Sequence, residues 1–413
     1  MTRSNPSDPV KLKETRLSLR DWVLLPVLGL LTVCFLAVSM ESIGNWVFPR
    51  NLADVRTCLD LTSPSTGARA IPNCRILAGL PEGRPVENEF NSCGHRSEME
   101  CGIRHSGAYR IVMIGGSLAY GLGVNREQTF AALLPKQLSL ATGRNIELYN
   151  EGQLWGFGYG KITLNFHMRD VMAARPDLIL WIISPSEIVS DGPAFVDIEG
   201  PKVNPKESSV PRTPRNLREL FWTNLKADLA SKSASNTLRA LLNKSRSVLL
   251  LRHLFYQSNS LYLKASLAGG NGELLSAGSS EKMQVRMQHL GVLAGDIEAQ
   301  AKLANVPLVA VLVPHREQAA LISGRGLPDG FDPFKLDDAI RAVLASHGAI
   351  PMDICRGFSS IPESEQYFFP VDGHPDAQGH AIISKLLAKE LTSGVIPSLK
   401  AAHPTNSASS ETR

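Results

Sequence analysis

Two short stretches hold the residues whose types and spacing could do chemistry. One is Gly115-Gly116-Ser117; the other, more than 250 positions later, is Asp372-Gly373-His374. A serine hydroxyl is a poor nucleophile until a base removes its proton. A histidine can be that base when an acceptor on its other ring nitrogen fixes the tautomer and stabilises the imidazolium. Asp372, two residues ahead of His374, can fold back to that nitrogen, because Gly373 lets the loop turn. Ser117, His374 and Asp372 would then form a relay for attack on an ester carbonyl. The plainer reading is a glycine turn whose serine caps a helix.

The relay needs elements that bring the two stretches to one place. Residues 110–114 are a short apolar run ending on the glycines, which suits a strand buried on both faces. A helical pattern follows over 129–140, a second strand over 146–149, a helix over 161–174 and a third strand over 178–183. Residues 306–313 and 350–354 read as two more strands. A helical pattern at Met283, Met287, Leu290, Ala294, Ile297, Ala301 and Ala304 precedes the first of them, and another over 336–347 lies between the two. Strands alternating with helices predict a largely parallel sheet covered on both faces, with ligands at the carboxyl ends of its strands. Ser117 and the 372–374 loop could then face one another at one rim. His380 lies inside the closing helix and reads as structural.

These blocks carry a resemblance. Gly-Gly-Ser117 after the first strand, the glycine-dense loop 150–158, the strand ending near Ser186, and the late Asp372-Gly-His374 resemble the four blocks of the SGNH/GDSL hydrolases. The likeness runs over residues 108–391. It implies a flavodoxin-like, doubly wound α/β fold, and an esterase, lipase, deacetylase or acyltransferase that needs no cofactor or metal. It implies Ser117 as nucleophile, His374 as base and Asp372 as its partner. It also implies an oxyanion hole lined by the N–H groups of Ser117 and of Gly156, or otherwise Gly152. Acid and base two residues apart are similar to the acetyltransferase branches that modify exported polysaccharide.

Two departures stand out. Gly116 replaces the aspartate usual before the nucleophile, at little cost because that oxyanion donor is backbone. Ser-Pro-Ser-Glu at 184–187 replaces the block that supplies an asparagine donor, and Ser186 could donate through its hydroxyl instead. Losing such a donor costs on the order of a hundred-fold in rate. A catalytically silent polysaccharide-binding or assembly protein on the same fold is therefore the alternative. An α/β-hydrolase elbow wants GxSxG, and Ala119 breaks it. A dinucleotide fold wants GxGxxG, which is not met and would leave the 372–374 loop unexplained.

The rest of the 413 residues sets the context. Residues 1–21 are polar with a basic excess, and residues 22–40 carry no charge. Nineteen helical residues span roughly 28 Å, about a bilayer's hydrocarbon thickness. Trp22 and Trp46 flank that span, where interfacial aromatics are favoured. The reading is a single transmembrane anchor in the inner membrane, its N-terminus inside and the remainder extracytoplasmic. A cleaved signal peptide competes, since Ala37 and Ser39 make a passable cleavage site. Residues 41–107 form a linker or cap with Cys58, Cys74, Cys93 and Cys101, which in an exported chain suits disulfides. Local pairing, Cys58–Cys74 and Cys93–Cys101, is preferred among three connectivities. Cys355 reads as a small buried residue.

Residues 192–280 interrupt the strand–helix rhythm as a helical insertion, read as a cap whose basic side is solvated. Facing anionic lipid or an acidic polymer is the sharper alternative. Residues 392–413 form a polar tail. A net charge of +4 gives no case for nucleic acid, and there is no CxxC pair or HExxH motif to hold a metal. The expected partners are an acylated small molecule or polysaccharide, the membrane through the anchor, and envelope polysaccharide machinery.

Overall fold

The computed structural model describes residues 19–48, 55–60, 69–154, 160–189, 242, 244–269, 271–278, 280–324 and 328–401. It opens on α1 (Leu19–Val47), a 29-residue helix. Within Trp22–Val47 the most apolar stretch of 18 residues has a mean hydropathy of 2.5 and no buried residue. Among the described residues it is the one helix long and apolar enough to cross a membrane, a property it shares with signal sequences. The helix runs on past Met40, the expected end of the span. Glu41 continues it by accepting hydrogen bonds from the start of a later helix, at residues 245–247.

The cysteine-containing segment holds two small antiparallel hairpins, which no apolar alternation in the sequence announced. The first pairs β1 (Leu59–Asp60) with β2 (Arg69–Ala70), and the second β3 (Arg75–Ala78) with β4 (Val86–Glu89). Strands of two and four residues are too short to display a period of two. Disulfides link Cys58 to Cys74 and Cys93 to Cys101.

From there strands and helices alternate. They are β5 (Tyr109–Gly115), α2 (Ser117–Tyr120), α3 (Phe130–Thr142), β6 (Ile146–Asn150), α4 (Gly160–Ala173), β7 (Leu178–Ile183) and α5 (Pro185–Val189). The described part of the insertion is helical: α6 (Arg246–Phe255), α7 (Asn259–Leu267) and α8 (Asn271–Leu275). Its residues 190–241 lie outside the described residues. Then come α9 (Glu281–Leu303), β8 (Leu308–Leu312), α10 (Arg316–Ser323), α11 (Lys335–Ser346), β9 (Ile350–Met352) and α12 (Ala377–Leu391).

Five strands form one sheet in the order β6-β5-β7-β8-β9, every neighbouring pair parallel. Counted along this sheet the order is 2-1-3-4-5, the doubly wound order of flavodoxin. Alternation along each strand divides the core. Ile111 and Met113 of β5, with Leu178, Leu180 and Ile182 of β7, pack against Phe130, Leu134 and Leu138 of α3 and Ile383 and Leu387 of α12. Val112 and Ile114, with Ile179, Trp181 and Ile183, pack against Leu290, Ala294 and Ile297 of α9 and Ile340 and Leu344 of α11. All of these side chains are almost wholly removed from water. Complete burial on both faces is why the central strands read as unbroken apolar runs.

The turn after β5 is closed by Gly115, whose φ of +145° lies where side chains are disfavoured. A Cβ there would sit 2.4 Å from the Ile182 carbonyl oxygen. The chain can reverse this tightly against β7 only with glycine. That turn delivers Ser117 to the carboxyl rim of the sheet.

Candidate active site

Ser117 is the first residue of α2, in the first turn, where backbone N–H groups have no partner inside the helix. The loop ahead of α12 brings Asp372 and His374 to the same rim. Gly373 takes a φ of +87° with nothing nearer its missing Cβ than Arg316 at 4.0 Å. Conformation, rather than space, calls for glycine there. The loop is closed by hydrogen bonds from Phe369 N–H to the His374 carbonyl (2.8 Å) and from Gly373 N–H to the Phe369 carbonyl (2.9 Å).

Across 257 residues of sequence, Ser117 Oγ lies 2.7 Å from His374 Nε2. On the other side of the ring, His374 Nδ1 lies 2.5 Å from Asp372 Oδ1. A carboxylate can only accept, so Nδ1 carries the proton and Nε2 is left to accept from the serine hydroxyl. Burial works to raise the Asp372 carboxyl, but hydrogen bonds and charge from His374 outweigh it and hold the carboxyl below its ordinary value. The carboxylate therefore stays ionised at neutral pH, the form that stabilises an imidazolium. His380 stands apart in α12. It is buried, its Nδ1 accepts from Phe130 N–H at 3.2 Å, and burial pushes it down to about 3.

The oxyanion side of the rim is arranged differently. Gly152 N–H donates to Asn150 Oδ1 at 2.8 Å, while Asn150 Nδ2 donates to the Ala119 carbonyl at 2.9 Å. The single amide of Gly152, the second choice as oxyanion donor, is thus engaged by Asn150 in this structure. Gly156 lies outside the described residues. Ser186 Oγ shares a 2.6 Å hydrogen bond with Ser184 Oγ, so its proton is available elsewhere only when Ser184 is the donor.

Sequence reasoning missed three neighbours. Glu187 is half-buried with its carboxyl turned inward, and burial pushes that carboxyl up to about 7 against hydrogen bonds from the Ser184 and Gly116 amides. It thereby ties the end of β7 to the residue before Ser117, and the acidic last position of the 184–187 block was the available signal. His315, at the carboxyl end of β8, brings its ring centroid to 6.0 Å from that of His374. Burial lowers its pKa, with Glu317 opposing, so it is neutral. Arg316 lies across the Tyr262 ring at 3.8 Å and donates to the carbonyls of Glu365 and Pro370, holding the approach to the 372–374 loop, and to that of Tyr256 in the insertion. Nothing in the sequence near Arg316 pointed to partners about 50 residues away on either side. A separate cavity of about 390 Å³ between α3 and β6, lined by Thr129, Pro135, Asn145 and Glu147 among others, includes none of the relay residues.

No family model and no curated protein matches this chain. Among solved structures it is similar to LAE5, described as an alpha/beta hydrolase enzyme from the metagenome of Lake Arreo, Spain. The identity is 13% and the TM-score 0.34, over 70% of this chain and 96% of that one. It is also similar to a mutant of Axe2, an acetyl-xylooligosaccharide esterase from Geobacillus stearmophilus. There the identity is 13% and the TM-score 0.31, over 68% of this chain and 93% of that one. With TM-scores below 0.5, neither likeness carries an argument about this chain.

Proposed function

We propose that this chain is a membrane-anchored, extracytoplasmic serine esterase or O-acyltransferase of the SGNH/GDSL type. It acts on acyl esters, acetyl above all, of a small molecule or of exported or envelope polysaccharide. The observation that carries the reading is the Ser117–His374–Asp372 relay, with hydrogen bonds of 2.7 and 2.5 Å. His374 takes the Ser117 proton as Oγ attacks the ester carbonyl, and the carbonyl oxygen becomes an oxyanion. The Ser117 N–H and, in the 150–158 loop, that of Gly156 would donate to it. Collapse of the intermediate expels the alcohol, which takes the proton from His374 and leaves Ser117 acylated. Water or a sugar hydroxyl then repeats the steps in reverse to release the acyl group.

The basic flank before α1, the apolar span and the paired cysteines together support a single pass with the catalytic domain outside the cytoplasm. Residues 1–21 would be a cytoplasmic tail, 22–40 the membrane-buried part of α1, 41–107 a cap and 108–391 the catalytic domain. A reporter that works only after export should be active when fused beyond about residue 60. An active cytosolic reporter at the C-terminus would overturn the orientation.

A silent binding protein is the second reading, favoured by the engaged Gly152 amide. Full-length protein incubated with an acetylated oligosaccharide decides between them. Release or transfer of acetate that depends on Ser117 supports the enzyme. Binding without turnover supports the alternative.

A further inference from the structure

The amide side of the catalytic loop is held by a residue from the cysteine-containing segment. Leu80, Pro81, Glu82 and Gly83 form the tip of the β3–β4 hairpin, a turn closed by Gly83 N–H donating to the Leu80 carbonyl at 3.1 Å. The Glu82 side chain is 1% exposed. Its Oε1 accepts from Val371 N–H at 2.8 Å and from Asp372 N–H at 2.6 Å, and its Oε2 lies 2.9 Å from His253 Nδ1 on α6. A carboxylate this enclosed needs such partners. Two of them are backbone amides of the catalytic acid and its neighbour.

The same hairpin also reaches the nucleophile's helix, where Tyr120 Oη–H donates to Asn88 Oδ1 at 2.8 Å. Its foot is fixed by the Cys58–Cys74 disulfide. The loop is thus gripped on both polar sides: Arg316 takes its carbonyls and Glu82 its amides. Each grip also reaches α6, Arg316 through the Tyr256 carbonyl at its C-cap and Glu82 through His253. His253 in turn meets Phe48, just beyond the end of α1, with ring centroids 5.0 Å apart.

We propose that Glu82 is a positioning residue for the relay, holding the Asp372 backbone so that the carboxylate meets His374 Nδ1. This rests on the esterase reading given above. Glu82 touches no reacting atom; it acts through Asp372. The hairpin tip therefore belongs to the site, although 290 residues separate it from the acid it holds.

Full-length protein in detergent tests this, with Glu82→Ala and the isosteric Glu82→Gln. Misplacing a catalytic group by about an ångström costs up to roughly a hundred-fold in rate. Fluorophosphonate labelling of Ser117 should therefore slow by about ten- to a hundred-fold in Glu82→Ala, and by less in Glu82→Gln, with KM for an acetyl ester unchanged. Combining Glu82→Ala with Asp372→Asn should label no more slowly than Asp372→Asn alone; independent roles would multiply. The low-field proton resonance of His374 Nδ1–H, identified by its loss in Asp372→Ala, should disappear in Glu82→Ala. Folded Glu82→Ala that labels at the wild-type rate or keeps that resonance overturns the proposal. If Glu82→Ala does not fold, an unchanged rate and resonance in Glu82→Gln does the same. Wild type that shows the resonance but resists fluorophosphonate sinks the esterase reading instead, and the resonance still decides the role of Glu82.

Discussion

The two sides of the candidate active-site rim are built to different degrees of completion. On the relay side, Ser117, His374 and Asp372 are joined in line, and the loop that carries Asp372 and His374 is held at both ends. On the oxyanion side, the Gly152 amide serves Asn150 and the Ser186 hydroxyl is shared with Ser184. The contrast separates two tasks that a serine hydrolase performs together. Proton transfer needs side chains placed in advance. Anion stabilisation can rest on backbone at the nucleophile itself, provided by the turn that exposes the serine. If so, damage to the relay side should be severe and damage to the described oxyanion side mild.

The largest effects should come from Ser117→Ala and His374→Ala. Each should abolish turnover of a small acetyl ester with the fold intact, and the double change should cost no more than either alone, because the residues act as a unit. Asp372→Asn should rank just below, with kcat lower by about 10³- to 10⁴-fold, because it spoils tautomer and orientation but keeps the base. Steady-state rates read alongside circular dichroism check all three. A mild effect of Asp372→Asn would mean that His374 is oriented by something else.

Next come the two turns. Gly115→Ala meets both an unfavourable φ and the Ile182 carbonyl oxygen, so it should lower the melting temperature as well as the rate. Gly373→Ala meets only the unfavourable φ, worth about 1–2 kcal/mol. It should reduce kcat with little change in melting temperature. Equal thermal losses would erase the distinction between a packed turn and an open one.

Ser186→Ala tests the oxyanion side. With its hydroxyl shared with Ser184, the expected loss is less than about tenfold in kcat, far below the hundred-fold of a dedicated donor. A hundred-fold fall in kcat at constant KM would show that Ser186 is a dedicated oxyanion donor.

Glu151, beside Gly152, should show in stability alone. Burial pushes its carboxyl up to about 8 against the opposing charge of Arg69. A carboxyl that binds its proton more tightly when folded stabilises fully below its unfolded value near 4.5. That contribution is lost as pH rises toward 8. Glu151→Gln should therefore flatten the fall in melting temperature between pH 5 and 8. An unaltered slope would place the titration elsewhere, at Glu187 or Asp337, which burial also raises to about 7.

The parts legible in the sequence were those that repeat or turn. Buried strands such as β5 and β7 read as apolar runs, α9 as a helical period, and Gly115 and Gly373 as turns beside chemically capable residues. The β3–β4 hairpin was not legible, because four-residue strands in a segment rich in proline and glycine display no period. Glu82 and Arg316 were equally silent, since each acts on backbone groups at least 49 residues away and nothing local marks a side chain for such a role. The continuation of α1 beyond Met40 is of the same kind, being held by Glu41 at the start of α6. The Asn150 bond to the Gly152 amide was not legible either, because a loop glycine shows no partner until its neighbour's side chain is placed.

The central claim is that Ser117 is an activated nucleophile. The direct measurement is fluorophosphonate treatment of the full-length protein followed by peptide mass spectrometry. The account predicts one adduct, on Ser117, absent in Ser117→Ala and slowed by orders of magnitude in His374→Ala. Folded wild type that carries no adduct, or carries it on another residue while activity survives Ser117→Ala, would contradict it.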